Sequence, residues 1–262
     1  MFSLMALGIS TACFYPAPTE EALRMVAQTG AKVTEVFFNA PSELESGFLK
    51  ELSRIKDDNG IRIRSVHPFT SFAEGYILFS QCERRFRDYR EFYKHYYAAA
   101  AFLGADVVVL HGAKLPFTCA AQMYTGRLEM LMDDAAEFGV RLAQENVVNY
   151  NGQTPQLMSG LRDALGDKFC MVLDIKQAVR AGCSPYDFTD ILADNICHVH
   201  ISDYNGVSDC VPPGEGRFDF KKFFDTMKEK GYRGDYVIEL YRSGFRDIGQ
   251  LESSFNALRD FA

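Results

Sequence analysis

Short apolar runs that end in a metal-ligating side chain recur along this chain, and they constrain its fold more than any other feature. Three of these runs end in a histidine and three in a carboxylate, at His67, His111, His200, Glu145, Asp174 and Glu239. One strand that ends in a polar residue means little, but here six are separated by segments long enough for helices. If the strands are parallel and close into a barrel, the six side chains converge on one mouth. The pattern therefore predicts a metal site.

The regular alternation of strand-like and helix-like segments indicates a (β/α)₈ TIM barrel. A length of 262 residues fits one such domain, and we expect a single domain over residues 1–262. Eight strand–helix units without a low-complexity linker favour a parallel sheet. A doubly wound open sheet is the structural alternative, but no Gly-x-Gly-x-x-Gly motif follows the first strand and no P-loop is found. The sequence thus offers no support for nucleotide binding.

Charge and cysteine content narrow the class of partner. The formal net charge of -7 disfavours a surface devoted to phosphate backbones, so no nucleic-acid partner is expected. The seven cysteines include no Cys-x-x-Cys pair, which indicates a reducing cytoplasm rather than a disulfide framework. The apolar segment 1–10 has no Lys or Arg ahead of it and is too short to span a bilayer. We therefore expect the first strand there and no membrane partner.

The most informative stretch is His198-Val199-His200-Ile201-Ser202-Asp203, followed later by Gly214-Glu215-Gly216. Two histidines two residues apart lie on the same face of a strand. His200 is nearer the carboxyl end of that strand and is placed to reach a metal. His198 points deeper into the barrel, where a hydrogen-bonded core histidine is the favoured interpretation.

Together with Gln144-Glu145-Asn146, Leu173-Asp174 and Glu239, this stretch resembles the xylose isomerase-like TIM barrels. That superfamily includes sugar isomerases, ketose 3-epimerases, inosose dehydratases and the endonuclease IV enzymes, and the resemblance covers nearly the whole chain. It implies that one divalent cation is held by four ligands, which are Glu145, Asp174, His200 and Glu239. Because three carboxylates and one imidazole form an oxygen-rich site, Mn²⁺ is expected first, with Mg²⁺, Co²⁺ or Zn²⁺ as alternatives.

The resemblance also implies the reaction class, a metal-dependent isomerase or epimerase that acts on a small carbohydrate or polyol. Glu145 and Glu239 would be the acid–base pair that removes the proton next to a carbonyl through an enediolate. Return of a proton to the opposite face of the same carbon gives epimerisation, and return to the neighbouring carbon gives isomerisation. Loss of a β-hydroxyl group instead gives a lyase of the inosose dehydratase type, in which Lys176 is a candidate base. The sequence leaves these outcomes open.

Two departures from the family pattern concern substrate binding. Gln177 stands where the family's Asp-x-x-His motif has its histidine, and the loop Ser208-Asp209-Cys210-Val211 contains no histidine. The complete three-zinc site of endonuclease IV is therefore not expected, and nuclease activity becomes a minor alternative. In the ketose 3-epimerases the histidine of that motif and an arginine in the loop after strand seven bind the substrate, and here the arginine position falls near Gly206. Gln177 and Arg217 are therefore the candidates for these contacts.

Three further side chains are candidate substrate contacts. His67 and His111 occupy strand ends where endonuclease IV places ligands of another zinc, so a second metal bridged by Glu145 is the alternative to contacts with substrate hydroxyls. Glu35 is equally consistent with a substrate contact and with a charge at the rim of the mouth. Lys176 is more commonly salt-bridged or solvated than a base. A non-catalytic barrel predicts no bound metal, and oligomerisation is a family-level expectation.

Overall fold

Eight parallel strands close into a barrel in which each strand pairs with the next and β8 pairs with β1. The computed structural model describes residues 5–116 and 120–261, so residues 1–4 of the expected first strand lie outside it. The predicted TIM barrel is confirmed. The strands are β1 (Leu7–Ser10), β2 (Val33–Phe37), β3 (Arg62–His67), β4 (Val107–Leu110), β5 (Arg141–Glu145), β6 (Met171–Asp174), β7 (Ile196–Ile201) and β8 (Tyr236–Ile238).

Helices surround the barrel, and their ends follow local sequence signals. Thr154 accepts a hydrogen bond from the backbone N–H of Leu157, and Ser184 forms a capping box with Asp187. Gly104 ends the longest helix in the left-handed conformation. The helices are α1 (Thr19–Gln28), α2 (Ser46–Asn59), α3 (Glu74–Ile77), α4 (Glu83–Leu103), α5 (Ala121–Glu137), α6 (Pro155–Leu165), α7 (Ile175–Arg180), α8 (Pro185–Leu192), α9 (Phe220–Glu229) and α10 (Ile248–Leu258).

The core has two layers. Each strand contributes side chains to both layers, because successive side chains point to opposite faces of the sheet. On β4, Val108 and Leu110 belong to the large cluster between the sheet and the helices, whereas Val107 and Val109 belong to a small cluster shared with β5 and β6. Ala143 and Val172 are the members of that small cluster on those two strands. Side chains two residues further along each strand therefore continue on the same, inner face.

Among the described residues, none of the helices combines the length and apolar character that a membrane crossing requires.

Candidate metal centre and active site

The alternation of the strands brings the four expected metal ligands together. Glu145 and Asp174 are the last residues of β5 and β6, two positions beyond the inward-facing Ala143 and Val172. His200 lies near the end of β7, and Glu239 directly follows β8. One ligand atom from each of the four residues lies within 4.8 Å of the others. A parallel closed barrel makes this convergence unavoidable, since all strands end at the same mouth.

The imidazole of His200 is oriented as a metal ligand. Its Nε2 lies 3.0 Å from Glu35 Oε2, which fixes the ring and leaves Nδ1 on the opposite side. Nδ1 is buried, has no hydrogen-bond partner among the described residues, and lies 3.6–3.8 Å from an oxygen of each of three carboxylates. An unpaired buried nitrogen that faces three carboxylate oxygens fits a bound divalent cation.

Glu35 lies beneath His200 rather than in the mouth. It is fully buried, accepts a hydrogen bond from Ser65 Oγ at 2.7 Å, and lies 3.4 Å from His198 Nε2. Both expectations for Glu35, a substrate contact and a charge at the rim, therefore disagree with its position, because its carboxylate is fully buried against His198 and His200. Its contacts with two imidazoles and two hydroxyls, the second hydroxyl being that of Ser10, make it a support for His200.

A second cluster lies beside the first and shares Glu145 with it. His67 Nε2 lies 3.1 Å from His111 Nε2, and Glu145 Oε2 lies 3.0 Å from His111 Nε2 and 3.8 Å from His67 Nε2. His67 Nδ1 lies 3.2 Å from the carbonyl of Pro68, which leaves Nε2 toward the cluster. Glu145 Oε2 is buried and has no aligned hydrogen bond in the described part of the chain. These three residues also have the spacing of a metal site.

The electrostatics of the site favour ionised carboxylates. Burial opposes the charge on Glu145, but three imidazoles, led by that of His111, hold the pKa of this carboxyl well below its usual value. Burial likewise opposes the charge on His67, yet Glu145 and other nearby carboxylates raise its pKa to about 9. The carboxylates therefore attract positive charge into the centre, whether protons or metal ions.

Lys176 lies directly among the expected ligands. Its Nζ is 2.7 Å from Asp174 Oδ2 and 2.8 Å from Glu239 Oε2, and the side chain is 3% exposed. Burial disfavours the ammonium, but these two carboxylates outweigh that effect and hold the pKa of Lys176 well above its usual value. Lys176 is thus salt-bridged, and the alternative of a neutral base is not supported by its surroundings.

Asn146 holds the backbone of Asp174, although the sequence indicates it only as part of the Gln144-Glu145-Asn146 motif. Its Nδ2 donates to the carbonyl of Asp174 at 3.0 Å, and its Oδ1 accepts from the N–H of Asp174 at 2.7 Å. Asp174 Oδ1 in turn accepts from the N–H of Gln177 and caps α7. In the sequence, the position of Asn146 directly after the expected ligand Glu145 is the feature that indicates this role.

The mouth opens into a cavity of about 430 Å³ whose walls differ in chemistry. The end of β5 and the segments after β6 and β8 contribute the charged side chains Glu145, Lys176 and Glu239. Segments in and after β1, β2 and β3 contribute aromatic side chains, namely Tyr15, Phe37, Phe69 and Phe72. Tyr15 and Phe72 are 58% and 75% exposed, so the aromatic wall continues onto the rim. A largely apolar cavity with a few convergent polar groups is typical of a small-molecule site.

Three of the five expected substrate contacts lie in this cavity, whereas Glu35, described above, and Arg217 do not. His67, His111 and Gln177 line it, and Gln177 Oε1 accepts from the N–H of Val148. Arg217 lies outside and lines a separate surface cavity beside Tyr186. The expectation that Arg217 supplies a charge to the substrate is therefore not met by its position.

Asp203 explains where Arg217 lies. Its carboxylate accepts four backbone hydrogen bonds at 2.8–3.1 Å from the loop after β7, donated by Tyr204, Gly214, Gly216 and Phe218. A Cβ at Gly216 would collide with this carboxylate. The aspartate and glycines of the motif therefore fold the loop back on itself, away from the cavity.

Known proteins share this architecture. A protein from Methanocaldococcus jannaschii, the uncharacterized protein MJ1311, is 25% identical, over 93% of this chain and 85% of its own. The fructoselysine 3-epimerase of Escherichia coli O157:H7 is 22% identical, over 90% of each chain. The crystal structure of a D-tagatose 3-epimerase-like protein superposes with a TM-score of 0.80 at 23% identity, over 98% of this chain and 97% of that one. The model of the xylose isomerase-like TIM barrel family matches residues 23–261. The chain belongs to the xylose isomerase-like TIM barrel family.

Proposed function

We propose that this protein is a divalent-metal-dependent isomerase or epimerase that acts on a small carbohydrate or polyol. One observation carries the proposal: the buried, unpaired Nδ1 of His200 faces the carboxylates of Glu145, Asp174 and Glu239 at 3.6–3.8 Å. A sugar epimerase among the relatives supports the same reaction class.

The four ligands suit a hard cation, with Mn²⁺ first among the candidates and Mg²⁺, Co²⁺ or Zn²⁺ as alternatives. Such an ion, when bound, stabilises the negative charge that develops on substrate oxygens during the reaction. Glu35 holds the His200 ring, and Asn146 holds the backbone of Asp174. These contacts keep the ligand set in place before a substrate enters.

Glu145 and Glu239 are proposed to move the proton. Both side chains line the cavity, and an oxygen of each lies near His200 Nδ1, at 3.7 and 3.6 Å. The lowered pKa of Glu145 keeps its carboxylate ionised and able to accept a proton from the carbon next to a carbonyl. Glu239, after it takes up a proton from solvent, would deliver that proton to the same carbon, and Glu145 would release its own proton to solvent, so that the protons balance. His67, His111 and Gln177 are the proposed partners of the substrate hydroxyls.

Metal content is the first test. The purified wild-type protein, supplied with Mn²⁺ and freed of excess metal, should retain one equivalent by elemental analysis. His200→Ala and Glu239→Gln should lose it, whereas the control Arg217→Ala should keep it because Arg217 lies outside the cavity. Two equivalents that fall to one in His111→Ala would assign a second ion to the adjacent cluster. An absence of metal in the supplemented wild type would refute the proposal and favour a non-catalytic barrel.

The reaction is tested separately by proton exchange. The metal-loaded protein is incubated with a panel of ketoses and inososes in deuterium oxide, and the products are followed by NMR. We expect deuterium at the carbon next to the carbonyl, together with a new epimer or isomer, and we expect Glu145→Gln to abolish both. Loss of water or of a substituent would identify a lyase instead. Cleavage of abasic DNA in a parallel assay, without exchange in any sugar, would contradict the proposal in favour of a nuclease.

A further inference from the structure

The ammonium group of Lys176 uses the same carboxylate oxygens that a metal would need. Asp174 Oδ2 and Glu239 Oε2 accept from Nζ, and these two atoms also face His200 Nδ1 at 3.8 and 3.6 Å. The other oxygen of Asp174 already accepts the N–H of Gln177 at 2.9 Å. Asp174 thus has one oxygen left for a cation, and Lys176 shares it with any ion in the centre.

The charges of the site give this sharing a consequence. The three ligand carboxylates carry three negative charges, while the ammonium of Lys176 and a divalent ion together carry three positive charges, so the charges of these five groups cancel in the loaded site. In the absence of Lys176 it would keep one negative charge. Charges a few ångströms apart in a protein interior interact strongly, because little water screens them. The ammonium therefore repels the ion that the carboxylates attract.

The burial of Lys176 indicates how its ammonium group acts in the metal-free protein. Asp174 and Glu239 have side chains that are 1% and 15% exposed, and Lys176 is 3% exposed. Unpaired buried charges are strongly destabilising, so the metal-free protein depends on this ammonium to hold the two carboxylates together.

We propose that Lys176 is a built-in monovalent cation of the metal centre that positions Asp174 and Glu239 in the metal-free protein and weakens the binding of the divalent ion. Lys176 acts through the two ligands and is a positioning residue. The inference rests on the proposed four-ligand site, and it adds that the ion is held loosely and exchanges.

The test is a titration of Mn²⁺ alone, by isothermal calorimetry, into metal-free wild type and four variants. Lys176→Met should bind Mn²⁺ at least tenfold more tightly than wild type. Lys176→Gln should show the same increase, and it replaces Lys176→Met in the comparison if that variant does not fold. Lys176→Arg keeps the charge and should stay within threefold of wild type. Lys221→Met removes an exposed lysine that is paired with Asp225, so it controls for overall charge and should stay within twofold.

Thermal unfolding gives a second measurement on the same proteins. In EDTA, Lys176→Met should melt at a lower temperature than wild type, and a fixed excess of Mn²⁺ should raise its melting temperature more than that of wild type. Equal or weaker Mn²⁺ affinity in both neutral variants, with normal binding in wild type, would overturn the role of Lys176 and leave the proposed function intact. If neither wild type nor any of the variants binds Mn²⁺, the role of Lys176 and the proposed function are both overturned.

Discussion

Glu74 gives the protein a stability that depends on pH, and its size follows from the structure. This carboxyl lies on α3, is fully buried, and accepts hydrogen bonds from the backbone N–H of Gly112 and from the hydroxyl of Tyr93. Burial disfavours its charged form, and although nearby His111 opposes this, the pKa of Glu74 is raised to about 7 from 4.5.

The direction in which the free energy of unfolding changes with pH follows from the difference between the pKa values of Glu74 in the folded and unfolded protein. Because the pKa is higher in the folded protein, the protonated carboxyl stabilises the fold fully below pH 4.5, and this contribution is lost as the pH rises through 7. A difference of about 2.5 between the two pKa values corresponds to about 3 kcal/mol, of which about 2.5 kcal/mol falls between pH 5 and pH 8. Glu74→Gln mimics the protonated form and keeps an acceptor for Gly112.

Urea denaturation at several pH values measures this difference. The free energy of unfolding of wild type, relative to Glu74→Gln, should fall by about 2.5 kcal/mol from pH 5 to pH 8. Glu21→Gln is a matched control at an exposed position, and its stability should run parallel to that of wild type. A constant difference between wild type and Glu74→Gln across this range would refute the reasoning.

Two further substitutions test the support of the site. Glu35→Gln removes the charge that orients His200 and should weaken Mn²⁺ binding by about tenfold, as titration calorimetry would show; unchanged affinity would deny Glu35 this role. Gly112→Ala should lower the free energy of unfolding by about 2 kcal/mol, because φ is 86° and a Cβ would collide with Tyr124. Its control, Gly126→Ala on α5, meets no atom within 4 Å and should gain up to about 1 kcal/mol in the same urea experiment; equal effects at both positions would argue against the clash.

The sequence predicts those parts of the site that depend on strand periodicity. Glu145, Asp174 and His200 could be placed together because they continue the inner face of their strands, and a parallel barrel brings strand ends to one mouth. The confirmed barrel follows from the same alternation of strands and helices. The alternation of side chains along one strand shows which of them face the barrel interior, because it depends only on residues close together in the sequence.

Positions set by loops could not be predicted in this way. Arg217 was expected at the cavity, but its loop is folded back by the four hydrogen bonds to Asp203. The ion pair of Lys176 with Glu239 joins residues 63 positions apart, and no local pattern reports such a contact. Glu35 lies on a predicted strand, yet its depth depends on a register shift beside Thr34 that the sequence does not display.

The uneven walls of the mouth have a consequence for how such a barrel can diversify. The groups proposed for chemistry follow the later strands, whereas Tyr15 and Phe72 follow the early ones and are exposed at the rim. Substitution of these two exposed side chains would alter which molecules enter and how they are oriented, while buried Cys13, which accepts from the N–H of Leu240 beside the proposed ligand Glu239, is kept. Selectivity and reactivity are therefore separable along the chain, and a library confined to Tyr15 and Phe72 could search for new substrates with the proposed ligands unchanged.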